Sequence, residues 1–307
     1  MARGAVTLSA MRFSKYHGAG NDSVMLTDLD GRLGPRGGLP PDLVAALSDR
    51  HTGVGADGVI RVMGTNDLDA PYYMDYYNAD GGVAEMCGNG IRCLVQHERD
   101  AGRYGGGDVV VQTLGRPVVV RPEGPGRYTV DMGPPLMTRE EIPMSGSGPS
   151  LRVEIELDGE TLRGTAVSMG NPHLVLFTDE IGRALDDETV LVLGRSLEVH
   201  PDFPERTNVE FVEIVDATTI RMRVWERGIG ETLACGSGIC ASVVAAASLE
   251  RTGPHVAVHM PGGELEAEWE PGGSVWLTGP AEGVFAGEID RSWLASRGLT
   301  QHAELVA

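Results

Sequence analysis

The sequence is poor in lysine and lacks any long apolar segment, and each shortage excludes a class of function. Lys15 is the single lysine beside 24 arginines, so a pyridoxal-phosphate Schiff base would have to form there, with no glycine-rich phosphate loop nearby. No Walker motif and no metalloprotease helix is present. No apolar stretch reaches the length of a membrane-spanning helix, and the N-terminal MARGAVTLSAM is a poor signal peptide. We therefore expect no cofactor, no membrane partner and a cytoplasmic location.

The net charge and the cysteine count further narrow the class of protein to which the chain can belong. The formal net charge of −19 argues against a nucleic-acid partner, because phosphates are bound by clustered Lys and Arg. Four cysteines in 307 residues are too few for a disulfide framework, so reduced thiols are expected. The hydrophobic content of 41% allows a sizeable core, and the length suits two domains of about 150 residues each.

The most informative stretch is ETLACGSGICASV, residues 231–243, where a cysteine stands in a glycine-rich turn before an alanine-rich helical sequence. This pattern predicts that Cys235 lies at a helix N-terminus, where unpaired backbone N–H groups favour a thiolate or bind a carboxylate. EMCGNGIRCLVQHE, residues 85–98, repeats the pattern Cys-Gly-x-Gly-Ile around Cys87. A lone cysteine is about as often a buried apolar residue as a reactive one, but two matched turns indicate two halves of one design.

The spacing of other polar residues repeats as well. In each half, the asparagine of a glycine-asparagine turn precedes the cysteine by 66 or 64 residues, and a polar residue at a strand end precedes it by nine. These residues are Asn21 and Asn171, then Asn78 and Glu226. Glycine-asparagine pairs are common in turns, yet three features in the same order favour a repeated unit.

The order of the predicted elements gives the fold class and the domain boundaries. Many short strands alternate with few helices, the main ones following each cysteine, and others are predicted at 41–50 and 187–198. The low-complexity segment PMSGSGPS, residues 143–150, marks a connection between the halves. We predict two similar α+β domains, 1–133 and 134–283, with 284–307 returning to the first. A cleft between them would bring the two cysteines face to face.

Two cysteines near one ligand could form a disulfide redox couple, a metal site or an acid/base pair. The spacings of Cys87 with Cys93 and of Cys235 with Cys240 fit structural zinc poorly, and no Cys-x-x-Cys motif is present. We therefore predict no metal site and assign Cys93 and Cys240 to helix packing. One thiolate could remove a proton from a carbon atom while the other thiol returns a proton to the opposite face, which inverts the stereocentre.

Four motifs together resemble the diaminopimelate epimerase family: MCGNGIRC at 86–93, ERGIGETLACGSGIC at 226–240, NADG at 78–81 and SMGNPH at 168–173. The resemblance implies cofactor-independent interconversion of LL- and meso-diaminopimelate by two cysteines, in lysine and peptidoglycan precursor synthesis. It also implies two pseudo-symmetric domains, each a strongly curved, mostly antiparallel, barrel-like sheet around a central helix, with the active site in the interdomain cleft. The expected partner is the small-molecule substrate, and a homodimer is the commonest assembly for such a protein.

The family's functional residues carry over to matching positions of this sequence. Cys87 and Cys235 are expected to be the acid/base thiols, with His173 and Glu226 near one of them. The substrate's reacting α-carboxylate is expected to be bound by Gly88, Asn89, Gly236 and Ser237, with Asn21 beside it. Its distal end is expected to be bound by Asn78, Asn171, Asn208, Glu226 and Arg227, since an Arg fork suits a carboxylate and amide or carboxylate oxygens suit an ammonium.

The sequence departs from the family pattern at two positions, and two rival functions are open. Many relatives have Phe where this chain has Ser23 and Gln where it has Gly58. The chain also has about ten extra residues before Met11, so Met11 is a candidate for the true first residue. A proline or hydroxyproline racemase of the same two-cysteine group is one rival, although its substrate lacks a distal amino-acid end. A non-catalytic amino-acid-binding protein is the other, although it has no need of two matched cysteines.

Overall fold

The computed structural model of the chain describes residues 10–299, which form eighteen strands and five α-helices. The first nine strands are β1 (Ala10–Gly18), β2 (Asn21–Asp28), β3 (Gly58–Gly64), β4 (Tyr72–Asn78), β5 (Val83–Ala84), β6 (Val109–Gln112), β7 (Val118–Gly124), β8 (Arg127–Gly133) and β9 (Val153–Leu157). The others are β10 (Glu160–Ser168), β11 (Pro172–Phe177), β12 (Asn208–Asp216), β13 (Thr219–Glu226), β14 (Gly230–Thr232), β15 (His255–Met260), β16 (Gly263–Glu268), β17 (Val275–Pro280) and β18 (Glu282–Asp290). The helices are α1 (Pro41–Ser48), α2 (Gly88–Asp100), α3 (Gly194–Glu198), α4 (Gly236–Ser248) and α5 (Arg291–Ser296), with a π-helical turn, Thr189–Leu193, before α3.

The chain divides into two compact units. Unit 1 contains the chain up to Gly18, Asp22–Tyr128 and the chain from Ala281 onward. Unit 2 contains Ala19–Asn21 and Thr129–Pro280. The predicted boundaries at 133 and 283 stay a prediction, and the part of the predicted returning segment from 300 to 307 lies outside the described residues, as do residues 1–9 before Met11.

The same order of strand pairings occurs in both units. In unit 1, β1 and β2 pair across a tight turn, β2 runs parallel to β3, β3 pairs antiparallel with β4, β4 pairs with the short β5 and runs parallel to β6, and β6 pairs antiparallel with β7. In unit 2 the strands β10 to β16 repeat each of these steps with the same orientations. In addition, β18 pairs antiparallel with β1 in unit 1. This repetition is the structural counterpart of the repeated cysteine motif.

One helix in each unit is buried along most of its length. Helix α2 packs against β1, β3, β7 and β18, and α4 packs against β10, β11, β12, β16 and β17. Nearly every residue of α4 is buried, which explains its alanine, valine and isoleucine content, since a helix surrounded by protein has no polar face. The predicted α+β class, with mostly antiparallel sheets and a central helix in each half, is confirmed. The sheet is mixed, and among residues 10–299 it is not closed.

Each unit also has a core away from its central helix. In unit 1, α1 and α5 pack on the sheet through Leu43, Leu47 and Leu294, which are buried. In unit 2, the core under the π-helical turn and α3 includes Val190, Leu197 and Phe211. None of the helices in the described range is long and apolar enough to cross a membrane.

Candidate active site

Cys235 occupies the N-cap position of α4 in unit 2, with the extended backbone angles φ −126° and ψ 108°. The short hairpin of β13 and β14 returns the chain directly to this position. Cys235 is 6% exposed, and its Sγ lies 3.5 Å from the Ser237 hydroxyl oxygen. The predicted placement of Cys235 at a helix start is therefore confirmed.

The surroundings of Cys235 favour the protonated thiol. Burial raises the pKa of Cys235 well above its ordinary value, and the nearby carboxyl groups of Glu226 and Glu210 raise it further. Hydrogen bonds from Ser237 and from the Gly238 backbone N–H act in the opposite direction. The fully buried Glu210 and the half-buried Glu226 thus oppose the effect of the helix N-terminus on this cysteine.

Glu226 is the last residue of β13 and lies next to Cys235. Burial raises its pKa, and hydrogen bonds from Thr232 and Cys235 and the charge of His173 lower it. The Thr232 hydroxyl donates a hydrogen bond to Glu226 Oε1. A carboxyl group whose pKa is raised by burial and which lies beside a thiol is the kind of residue that takes part in proton transfer at functional sites.

His173 on β11 is fully buried and makes two side-chain hydrogen bonds. Its Nδ1 lies 2.7 Å from Glu210 Oε1, and its Nε2 lies 3.0 Å from Asn171 Oδ1. The parallel pairing of β11 with β12 places Glu210 beside it, two residues beyond the position that pairs with His173. His173, Glu226 and Cys235 therefore lie in one cluster of unit 2, and their predicted catalytic roles stay a prediction.

Asn208 and Arg227 are linked to each other at the edge of this cluster. The Arg227 backbone N–H donates to Asn208 Oδ1 at 3.0 Å, and Asn208 Nδ2 donates to the Pro172 carbonyl at 2.8 Å. The buried Asn208 amide thus connects the segment after β13 to the start of β11. The Arg227 side chain is exposed and donates to the Glu205 carbonyl at 3.2 Å.

Asn21 lies at the tip of the β1–β2 hairpin, and this tip, Ala19–Asn21, belongs to unit 2. Ala19 and Gly20 have φ angles of 52° and 82°, the left-handed region in which glycine is favoured. A Cβ atom at Gly20 would lie 3.2 Å from Leu233 Cδ1, so the tip packs on the turn that precedes Cys235. In unit 2, side-chain hydrogen bonds and charge interactions connect Asn171, His173, Glu226, Cys235 and Ser237. Asn208 joins the backbone of Arg227 to the start of β11, and the hairpin tip that carries Asn21 packs on the turn before Cys235.

Cys87 is the N-cap residue of α2 in unit 1, with φ −136° and ψ 116°, close to the angles of Cys235. Its Sγ accepts a hydrogen bond from the Gly90 backbone N–H at 3.3 Å. Cys87 is more exposed than Cys235. The two predicted thiols thus occupy equivalent positions in the two repeated units but have different surroundings.

The first turn of α2 is held by a buried arginine that the sequence analysis did not single out. Arg92 Nη2 donates to Asn89 Oδ1 at 2.6 Å, and Arg92 Nη1 donates to the Gly88 carbonyl at 3.1 Å. The Asn89 side chain therefore faces Arg92. The predicted carboxylate binding by Gly88 and Asn89 would use their backbone N–H groups, which have no intrahelical partners at this position.

Asn78 ends β4 and is exposed, and Gly58 pairs with it on β3. A Cβ atom at Gly58 would lie 2.5 Å from the Tyr77 carbonyl oxygen and 2.8 Å from Tyr76 Cε2, so no side chain fits there without a shift of the backbone. Ser23, the other departure from the family pattern, pairs with Gly58 in the parallel register of β2 and β3. The two departures from the family pattern, Ser23 and Gly58, are therefore neighbours on paired strands.

The remaining cysteines and the single lysine are structural. Cys93 and Cys240 are buried inside α2 and α4, and burial raises the pKa of Cys93 to about 12. Lys15 is buried, with its Nζ 2.7 Å from Asp22 Oδ2 and donating to the Gly55 carbonyl. Among residues 10–299, no group of three His, Cys, Asp or Glu side chains is arranged to hold a metal ion.

Two polar residues of the cluster were missed by the sequence analysis. Glu210 and Thr232 contact His173 and Glu226 respectively. For Glu210 the signal is small: it is an acidic residue between Val209 and Phe211, but the same strand also contains Glu213. Thr232 has no comparable signal.

Known proteins resemble this chain over most of its length. A family model described as diaminopimelate epimerase matches residues 13–138 and 165–284. A diaminopimelate epimerase of Moorella thermoacetica is 44% identical over 288 residues, covering 91% of this chain and 99% of that protein. One from a Synechococcus species is 44% identical over 282 residues, covering 90% of this chain and 97% of that protein.

Solved structures with the same fold are more distant in sequence. A hydroxyproline epimerase from Agrobacterium vitis, with bound trans-4-OH-L-proline, aligns with a TM-score of 0.68 at 13% identity, over 92% of this chain and 93% of that one. A Bacillus anthracis phenazine biosynthesis protein of the PhzF family aligns with a TM-score of 0.62 at 14% identity, over 91% of this chain and 99% of that one. At such identities the likeness establishes the fold alone.

Proposed function

The chain belongs to the diaminopimelate epimerase family, and from this we propose that it interconverts LL- and meso-diaminopimelate. The activity serves lysine biosynthesis and the supply of a peptidoglycan precursor. The observation that carries the proposal beyond the family match is the pair of cysteines at equivalent helix N-caps of two repeated units.

The proposed chemistry uses Cys87 and Cys235 as the two acid/base groups. The thiolate of one cysteine removes the proton from the α-carbon, and the thiol of the other donates a proton to the opposite face. Negative charge develops on the α-carboxylate as the proton leaves. Helix N-termini stabilise that charge through backbone N–H groups, which we assign to Gly88, Asn89, Gly236 and Ser237, with Asn21 beside them.

The distal end of the substrate is proposed to be bound by a second group of residues. The exposed Arg227 guanidinium suits the distal carboxylate, because its planar fork can donate two parallel hydrogen bonds. Glu226 and the amide oxygens suit the distal ammonium. Asn208 contributes through the hydrogen bond that it accepts from the Arg227 backbone. The full group is Asn78, Asn171, Asn208, Glu226 and Arg227.

We further propose that the reaction needs no cofactor and takes place in the cytoplasm. Proton removal and return require only the two thiols, and reduced thiols persist in a reducing compartment. The four cysteines, all within residues 10–299, form no disulfide bond. A homodimer is proposed as the assembly because two-fold dimers are the commonest oligomers of such enzymes.

The decisive experiment is incubation of the purified, reduced protein with LL-diaminopimelate, followed by separation of the stereoisomers. The expected result is an equilibrium mixture of the LL and meso forms, with no conversion by Cys87→Ala or Cys235→Ala. Activity should survive dialysis against a chelator and treatment with a carbonyl reagent. Absence of the meso form would contradict the proposal.

The same assay with trans-4-hydroxy-L-proline tests the rival racemase function. That substrate has no distal amino-acid end for Arg227 and its neighbours to bind, so no turnover is expected. Turnover of the imino acid in preference to diaminopimelate would assign the chain to the rival activity. Binding of diaminopimelate without inversion would favour the non-catalytic alternative.

A further inference from the structure

Glu210 is a buried carboxyl group that the proposed chemistry does not yet use. It lies on β12 and is fully buried, and its Oε1 accepts a hydrogen bond from His173 Nδ1 at 2.7 Å. Its second oxygen, Oε2, is buried and has no hydrogen-bond partner among residues 10–299. A half-satisfied carboxylate in a protein interior is costly unless an opposite charge lies beside it.

The contacts of His173 indicate where that charge is. A carboxylate oxygen and a side-chain amide oxygen face its two ring nitrogens, at 2.7 Å and 3.0 Å. An ionised carboxylate oxygen and an amide oxygen both accept hydrogen bonds, so with Glu210 ionised both ring nitrogens donate. A histidine that donates from both nitrogens is an imidazolium, and a charge-assisted bond to Glu210 is the strongest hydrogen bond available to it.

We propose that Glu210 is a positioning residue for the epimerisation: it holds His173 as an imidazolium in a single orientation, and through it fixes the Asn171 amide. Because Asn171 Oδ1 accepts from the imidazolium, its NH2 group is turned away from the ring as a donor. We call the contacts from Glu210 through His173 to Asn171 the relay. The inference rests on the proposed function, since it assigns this relay a role at the substrate site.

The surroundings of the relay explain why its charge state matters to the reaction. Glu226 on β13 and Cys235 at the start of α4 are the titratable groups that face His173 and Glu210. A Cβ atom at Gly238 would lie 2.7 Å from Glu210 Oε1 and 3.3 Å from Cys235 Sγ, so Glu210 packs against the same helical turn as the thiol. The positive charge of His173 balances Glu210 beside the cysteine that must gain and lose a proton.

The protonation of His173 can be measured directly in the protein without substrate. With ¹⁵N-labelled histidine, both ring nitrogens of His173 should show imidazolium shifts at neutral pH, and His173→Gln assigns the signals. In Glu210→Gln, which keeps the size of the side chain and removes the charge, His173 should become neutral. The matched control is Glu213→Gln on the same strand, where the carboxylate pairs with Arg221 near the surface. A neutral His173 in the unaltered protein would overturn the proposal.

Kinetics then test whether Glu210 acts through His173. Glu210→Gln should lower kcat/KM about ten-fold or more, the scale of one charge-assisted hydrogen bond, while Glu213→Gln should not change it. In the His173→Gln background, Glu210→Gln should cause no further loss, because the group through which it acts is gone. Equal losses in both backgrounds would show a general structural effect and contradict the relay.

The two proposals fail in different ways. If the unaltered protein does not epimerise diaminopimelate, the proposed function fails while the nuclear magnetic resonance result still reports on the pair. If the protein is active and His173 is an imidazolium in both the unaltered protein and Glu210→Gln, only the role of Glu210 is wrong.

Discussion

At the residue scale, burial of the Glu226 carboxyl group assists the proposed proton transfer but lowers the stability of the folded chain. Burial raises the pKa of this carboxyl group above its ordinary value of 4.5. The folded chain therefore keeps a proton on Glu226 at pH values where the unfolded chain has released it. Stability that depends on this proton is fully present below the ordinary pKa and is lost as the pH rises through the folded-state pKa.

Glu226→Gln should consequently increase stability while it abolishes or strongly lowers activity. Glutamine resembles the protonated carboxyl group and can still accept the Thr232 hydrogen bond, but it cannot exchange a proton with Cys235. Thermal melts over a pH series should show a higher Tm than the unaltered protein, with a difference that widens as the pH rises above 4.5. Glu213→Gln, at a more exposed ion pair, should show no such trend. A pH-independent difference would contradict the argument from burial.

The sequence allows the prediction of some residues of this cluster and not of others. Cys87 and Cys235 can be predicted because a glycine-rich turn before a helical segment is a local pattern, and its repetition strengthens it. Glu210 contacts His173 only through the parallel pairing of β11 with β12, across 37 residues of chain, and no local pattern encodes that contact. Arg92 likewise resembles an ordinary helix residue until its burial is known.

At the scale of elements, long periodic segments were predictable and short ones were not. The strands β3 and β4 and the helices α1 and α4 follow their apolar patterns closely. The two- and three-residue strands β5 and β14 were not predicted, because they exist only through pairing with β4 and β13. The helix predicted at 187–198 begins as a π-helical turn, and α5 was not predicted beyond Asp290.

Two equivalent glycines give a prediction at the scale of the cysteine-bearing helices. Gly238 and Gly90 are the second glycines of the repeated motif. A Cβ atom at Gly238 would meet Glu210 Oε1 at 2.7 Å, whereas one at Gly90 would meet Ile60 Cδ1 at 2.6 Å, the flexible end of an apolar side chain. Gly238→Ala should therefore displace the carboxylate from His173, at a cost of about 1–3 kcal/mol, although alanine is otherwise the better helix former.

Measurement of kcat/KM and Tm for Gly238→Ala and Gly90→Ala tests this difference. The expected order is a larger loss of kcat/KM in Gly238→Ala, because only that change reaches the buried charge pair. Gly90→Ala serves as the matched control for crowding at a helix start. A larger loss in Gly90→Ala would mean that the Glu210–His173 contact does not limit activity.

At the scale of the whole molecule, the net charge of −19 neither attracts nor repels the proposed substrate as a whole. Diaminopimelate carries two ammonium and two carboxylate groups near neutral pH, so it has no net charge to be repelled. The acidity therefore bears on solubility, and recognition depends on single groups such as Arg227. The chain contains two copies of the same order of strands and helices. Each copy supplies one thiol at a helix N-cap.

The two-base proposal makes a prediction that only the complete chain can satisfy. In deuterated water, the proton added to form product comes from a cysteine that exchanges with solvent, while the proton removed goes to the other cysteine. At early times, in either direction, product should carry deuterium at the inverted carbon while recovered substrate remains largely unlabelled. Cys87→Ala and Cys235→Ala should each abolish inversion, while the remaining thiol can still exchange the proton on its own face. Transfer of the original proton into product, or full epimerase activity in either variant, would show that one base serves both faces and would refute the assignment of both cysteines.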